Sequence, residues 1–154
     1  MTLTRRAALA LTLAALAACG RREPPPDTSG PALYPNETPE LRALINRYAD
    51  EYEVPRSLVH RVVIRESRHR PNARNGRYYG LMQIDPRTAR TMGYDGRPEG
   101  LLDAETNLKY AVKYLRGAWL VSDGSEDKAV QWYAGGYYYE AKRRGLLEET
   151  GLKG

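Results

Sequence analysis

The stretch Leu58-Val59-His60-Arg61-Val62-Val63-Ile64-Arg65-Glu66-Ser67 reads as an amphipathic helix with one charge on the wrong face. Val59, Val62 and Val63 stand at i, i+3 and i+4, the spacing that lines one side of an α-helix. The next position on that stripe, i+7, is Glu66. A carboxylate there loses hydration, which disfavours its charged form and raises its pKa. It also costs stability unless it is paired. Two readings follow. Glu66 turns outward at the helix end and pairs with Arg65, Arg68 or Arg70, or it is a general acid that keeps its proton near neutral pH.

Working outward, the neighbouring segments are also helical. Thr38-Pro39 supplies a cap and a proline at the first helical position, and Leu41, Leu44, Ile45 and Tyr48 form an apolar stripe up to about Tyr52. Pro55 opens the helix that carries Glu66. Pro71 to Gly76 is a turn-rich loop, and Tyr78 to Ile84, interrupted by Gly80, is an ordered loop or short strand. Asp85-Pro86 restarts a short helix that stops near Gly93, and a longer loop covers residues 94–102. Asp103 caps a long helix with Leu108, Ala111, Val112, Leu115 and Trp119 on one face. Ser125 caps the next, carrying Ala129, Val130 and Tyr133. After Gly135-Gly136 a last helix runs from Tyr137 to about Arg144. The expectation is one mainly α domain over residues 38–147, with a tail at 148–154. The chain has no Phe and 12 Tyr, so tyrosine rings carry most aromatic packing.

The N-terminus reads as an address. Arg5-Arg6 precede an apolar run, Ala7 to Ala18, too short to span a bilayer but long enough for a signal-peptide core. The run ends Leu16-Ala17-Ala18-Cys19-Gly20, which resembles a bacterial lipobox with Cys19 as the lipidated residue. Residues 1–18 are then a lipoprotein signal, exported by the general or the twin-arginine route. Residues 19–37, rich in Pro and Gly, form a flexible tether. The formal net charge of +5 includes Arg5 and Arg6, so the remainder is mildly basic, suited to an anionic envelope polymer or membrane surface. A single cysteine rules out an intramolecular disulfide. The two histidines lie apart in sequence and no His/Cys cluster is visible, so no metal, no cofactor and no nucleic acid is expected.

The ordered set Glu66-Ser67, Gly80-Leu81-Met82-Gln83-Ile84, Asn107-Leu108, Tyr114-Leu115 and Trp132-Tyr133-Ala134-Gly135-Gly136 resembles the soluble-lytic-transglycosylase domain of the lysozyme-like group, over about residues 41–145. The resemblance implies a small lysozyme-like (goose-type lysozyme/transglycosylase) helical fold. It implies cleavage of the β-1,4 bond between N-acetylmuramic acid and N-acetylglucosamine in peptidoglycan strands, giving 1,6-anhydro ends without water. Glu66 is then the single acid and base. Substrate contacts are implied for Gln83, Met82, Tyr133, Ser67 and Tyr137. Packing, loop-stabilising and helix-end roles stand beside them for Met82, Gln83, Tyr133 and Ser67. No second carboxylate stands out: Asp85 and Asp103 read as caps and Asp95 as a loop residue.

The chain departs from the family pattern at Ala134, where asparagine is usual. The loop after Glu66 is one residue shorter than the common form, and Asn75 stands where serine is frequent. The run Tyr137-Tyr138-Tyr139 offers stacking in place of the missing asparagine contact. Three readings stay open: a lytic transglycosylase, a muramidase of goose-type lysozyme character that uses water, and an inactive glycan-binding scaffold. A role beside cell-envelope assembly machinery is compatible with the first. The address implies an envelope protein held by lipid at the periplasmic face of an outer membrane.

Overall fold

A computed structural model describes residues 25–152. The signal-peptide and Cys19 expectations lie outside the described residues. The elements are α1 (Pro39–Glu51), α2 (Arg56–Ser67), a two-residue antiparallel hairpin of β1 (Arg74–Asn75) and β2 (Tyr78–Tyr79), α3 (Pro86–Thr91), a 3-10 turn (Pro98–Leu102), α4 (Ala104–Leu120), α5 (Glu126–Gly135) and α6 (Tyr138–Arg144). The domain is mainly helical, as the periodicity predicts.

The helix starts follow their caps. The side chains of Thr38, Asp85, Asp103 and Ser125 accept the N–H of Leu41, Arg87, Thr106 and Lys128, satisfying donors that the first turn leaves free. The long α4 is the centre of the fold, packing against α1, α3, α5 and the 3-10 turn. Leu108, Ala111, Val112, Leu115 and Ala118 are wholly buried on it, and Val59, Val62 and Val63 of α2 join the same core. Tyr137 takes an aromatic core position: its ring lies where a Cβ on Gly117 would stand 2.2 Å from its hydroxyl, so α4 needs glycine at that crossing.

Two segments differ from the sequence reading. The second half of the expected tether is docked on α1 and α2. Arg42 is buried and reaches Glu37 through two 2.6 Å bonds and the Pro31 carbonyl at 2.7 Å. Asn46 donates to the carbonyls of Asp27 and Ser29. A proline-rich composition conceals this, because the anchoring groups belong to α1. The tail also packs: Leu146, Leu147 and Leu152 lie against the core and Thr150 is buried, its hydroxyl donating to the Leu146 carbonyl. The hairpin splits the expected loop and strand, with Arg74 paired to Tyr79.

Candidate active site

The last turn of α2 carries Glu66 to the wall of a cleft of about 520 Å³ lined by Arg65, Arg70, Ala73, Arg74, Asn75, Tyr78, Gln83, Tyr133 and Ala134. Its side chain is 24% exposed, enough to meet a ligand and little enough to lose hydration. Burial pushes the carboxyl above its ordinary value, and the Arg65 guanidinium, 3.5 Å away, opposes this only in part. The position at the C-terminal end of a helix acts in the same direction, because the helix dipole there disfavours an anion. Among the described residues no hydrogen bond reaches the Glu66 carboxylate. Its oxygens are therefore open to an incoming ligand.

The opposite wall is built from the Gly80–Ile84 turn. Gly80 has φ +75°, and a Cβ there would stand 2.3 Å from both Asn107 Nδ2 and the Leu101 carbonyl. Only glycine lets the turn approach α4 so closely. Asn107 fixes the turn: its amide donates to the carbonyls of Tyr79 and Leu101, both at 2.8 Å, and its oxygen accepts the Met82 N–H at 3.0 Å. The Tyr133 hydroxyl, buried, donates to the Met82 carbonyl at 2.8 Å, tying α5 to the same turn. Burial first, then the neighbouring Glu66 charge, pushes the Tyr133 phenol well above its usual range, so it stays a donor.

The structure brings Glu66, Gln83 and Tyr133 to one cleft and sends the other expected contacts elsewhere. Gln83, at φ +49°, donates its amide to the carbonyls of Ala73 (3.0 Å) and Gly80 (2.9 Å), so its nitrogen stabilises the loop while the residue still lines the cleft. The Met82 side chain is wholly buried, and its backbone carbonyl accepts the Tyr133 hydroxyl beneath the cleft surface. Ser67 is buried; its hydroxyl donates to the Val63 carbonyl and accepts the Arg70 N–H, closing the end of α2. That geometry leaves it no free group for a substrate. Tyr137 is 1% exposed and donates to the Tyr114 carbonyl at 2.8 Å. Its ring packs against Gly117, and the residue still lines the far depression beside the exposed Tyr138.

The cleft continues. A depression of about 200 Å³ shares Tyr78, Gln83, Tyr133 and Ala134 with it, and one of about 390 Å³ extends past Gly136 to Tyr138 and Leu152. Together they form a groove long enough for a linear ligand. Asp85 stands in the middle stretch, but it caps α3 and pairs with Arg77 (3.0 Å) and Arg87 (3.1 Å). Although burial alone would raise its carboxyl, those guanidinium and N–H contacts hold it below its ordinary value. Asp85 is thus an anchored anion, unlike Glu66. The arginines at positions 65, 70, 74 and 77 give the groove a basic rim, a feature that the abundance of arginine hints at but only the fold assembles.

The sequence profile described as "Transglycosylase SLT domain" matches residues 43–146. The chain belongs to this family. The matched span begins within α1 and ends just past α6, so the SLT family region covers most of the core and every groove residue named above except Leu152. Among curated relatives, the SLT chain is 32% identical over 124 residues to the membrane-bound lytic murein transglycosylase F of Shewanella woodyi. That match takes in 76% of this chain and 25% of the relative, so the chain spans about a quarter of the relative's length. No solved structure matches.

Proposed function

We propose that the protein is a lytic transglycosylase acting on peptidoglycan, with Glu66 as its single acid and base. The observation that carries this reading is a half-buried carboxyl with a raised pKa, free of hydrogen bonds among the described residues and faced only by Arg65 at 3.5 Å, in a groove where the other carboxylate is already neutralised by two arginines. Membership of the SLT family and the relative's printed activity support it. Ordinary glycosidases place two carboxyl groups across the scissile bond, substrate-assisted ones being an exception. Here Glu66 protonates the glycosidic oxygen as the bond to muramic C1 breaks. The acetamido oxygen on C2 of the same sugar shares the positive charge at C1. The resulting Glu66 carboxylate takes the proton of the C6 hydroxyl, whose oxygen bonds to C1. The proton gained by Glu66 replaces the one it gave, no water is consumed, and the product carries a 1,6-anhydro end. The basic rim suits the carboxylates of stem peptides.

Mass spectrometry of muropeptides released from purified sacculi tests this. Wild type yields anhydromuropeptides and Glu66→Gln yields none. Reducing ends from the wild type would make the protein a hydrolase of goose-type lysozyme character. Binding without products from either would make it a glycan-binding scaffold.

We further propose that lipid on Cys19 holds the enzyme at the periplasmic face of the outer membrane. The evidence is the Leu16-Ala17-Ala18-Cys19-Gly20 pattern, with no aspartate after the cysteine, and the membrane-bound state of the relative. Among the described residues no helix is long and apolar enough to cross a membrane. Cys19→Ala releases the protein from membrane fractions if this holds, and unchanged fractionation refutes it.

A further inference from the structure

Away from the groove, the fold gathers Glu37, His60 and His69, one from the docked segment, one from α2 and one from the loop just after it. Their ligand atoms lie within 4.8 Å of one another. Glu37 Oε1 is 3.6 Å from His60 Nδ1 and 3.6 Å from His69 Nε2. Both distances are too long for hydrogen bonds.

The hydrogen-bond roles around the cluster show what is missing. Asn46 donates its amide nitrogen to the carbonyls of Asp27 and Ser29, so its oxygen faces His60 Nε2 at 3.1 Å. His60 must then carry its proton on Nε2, and Nδ1 turns a lone pair toward the Glu37 carboxylate. His69 is wholly buried, and among the described residues neither of its ring nitrogens has a hydrogen-bond partner. Buried nitrogens left this way are costly. The Glu37 carboxylate, already held by Arg42, and the His60 Nδ1 lone pair therefore face each other beside an orphaned imidazole, and a cation between them would partner both His60 Nδ1 and His69 Nε2.

We propose that Glu37, His60 and His69 bind one divalent zinc-class ion through Oε1, Nδ1 and Nε2. Zinc takes imidazole and carboxylate ligands at about 2.0–2.2 Å, which in a tetrahedral arrangement holds two ligand atoms roughly 3.3 Å apart. The two 3.6 Å separations need to contract by a few tenths of an ångström, and the two imidazole nitrogens, which lie within 4.8 Å of each other, close further as the ion binds. Neutral imidazoles and a carboxylate favour zinc and its transition-metal neighbours over calcium or magnesium. The carboxylate is oriented from behind: Arg42 binds both its oxygens at 2.6 Å and the Tyr34 N–H binds Oε2 at 2.8 Å. Such outer contacts are what metal-ligating carboxylates usually have. The Arg42 charge also repels the ion, so the two imidazoles carry most of the affinity. A surface depression of about 690 Å³ beside Asn36 and His69 gives an entry route. The ion staples the docked segment to the loop that follows Glu66, where Arg68 and His69 both have positive φ.

The test is calorimetric titration of zinc chloride into the full chain, purified in detergent and stripped with a chelator. One zinc per chain is expected. His60→Asn and His69→Asn should each weaken binding by more than the ~10–100-fold that loss of an outer-shell contact costs. Cobalt should give the visible bands of a four-coordinate site in wild type and lose them in both variants. His60 is partly exposed, so His60→Asn carries the test if circular dichroism shows His69→Asn to be unfolded. Absence of saturable binding, or affinity unchanged in folded His60→Asn, overturns the proposal.

Discussion

Replacing Asn107 by leucine should be the most costly change of similar volume in the groove wall. The side chain is wholly buried and makes three hydrogen bonds, two donated to carbonyls and one accepted from an N–H. Leucine fills much the same space and removes all three. The Tyr79 and Leu101 carbonyls and the Met82 N–H are then buried without those bonds. Each unsatisfied buried group costs about 1–3 kcal/mol. Allowing for relaxation of the turn, the loss should be about 3–6 kcal/mol, against a total stability on the order of 5–15 kcal/mol for a domain of this size. Urea unfolding followed by circular dichroism measures it, as a lowered midpoint at unchanged slope. Asn107→Asp sharpens the test. It keeps the acceptor for Met82 but turns two donors into an anion facing two carbonyls, so it should be at least as destabilising at neutral pH. It should recover in part on acidification, when a protonated carboxyl can donate once. A cost below about 1 kcal/mol for Asn107→Leu would refute the claim that this amide holds the turn.

Other expectations follow from the same geometry. Glu66→Gln should abolish muropeptide release yet raise the melting temperature by a few degrees, because a partly buried carboxylate is replaced by a neutral amide worth about 1 kcal/mol; a fall in melting temperature would argue against the strain assigned to Glu66. The raised Glu66 pKa means that its folded-state contribution is fully present at low pH and lost as pH rises through that pKa, so Glu66→Gln should gain most over wild type at neutral and alkaline pH. His60 has the opposite sign: its pKa is depressed from 6.5 to about 4, so stability falls as pH drops from about 6.5 toward 4, by up to about 3 kcal/mol in the chelated protein. Chelated His60→Asn should flatten that stretch of the stability–pH curve. Gly117→Ala should destabilise despite alanine's better helix propensity, since the new methyl meets the Tyr137 ring; a gain in stability would show that the ring moves freely.

The helices were legible because their signals are local. Thr38, Asp85, Asp103 and Ser125 cap where their sequence contexts say, and the valine stripe of α2 faces the core with Glu66 at its margin. What stayed hidden depends on contacts between distant segments. Nothing near Ser67 says that its hydroxyl is consumed by Val63 and Arg70. Nothing near Tyr137 says that a glycine twenty residues earlier opens a slot for its ring. Glu37, His60 and His69 look unrelated along the chain, and only the docking of residues 27–37 brings the first to the other two.

If lipid on Cys19 anchors the protein as proposed, that docking also sets how far it can work from the membrane. A free chain from Cys19 to the start of the domain near Thr38 would allow a reach of roughly 60–70 Å at full extension. Because Asn46 grips the Asp27 carbonyl, the span from Cys19 to the first docked residue falls to at most about 25–30 Å of chain. With lipid on Cys19, the groove would sweep a thin layer of wall against the anchoring membrane. Cutting the Asn46 and Arg42 contacts would deepen that layer without touching Glu66 or its cleft.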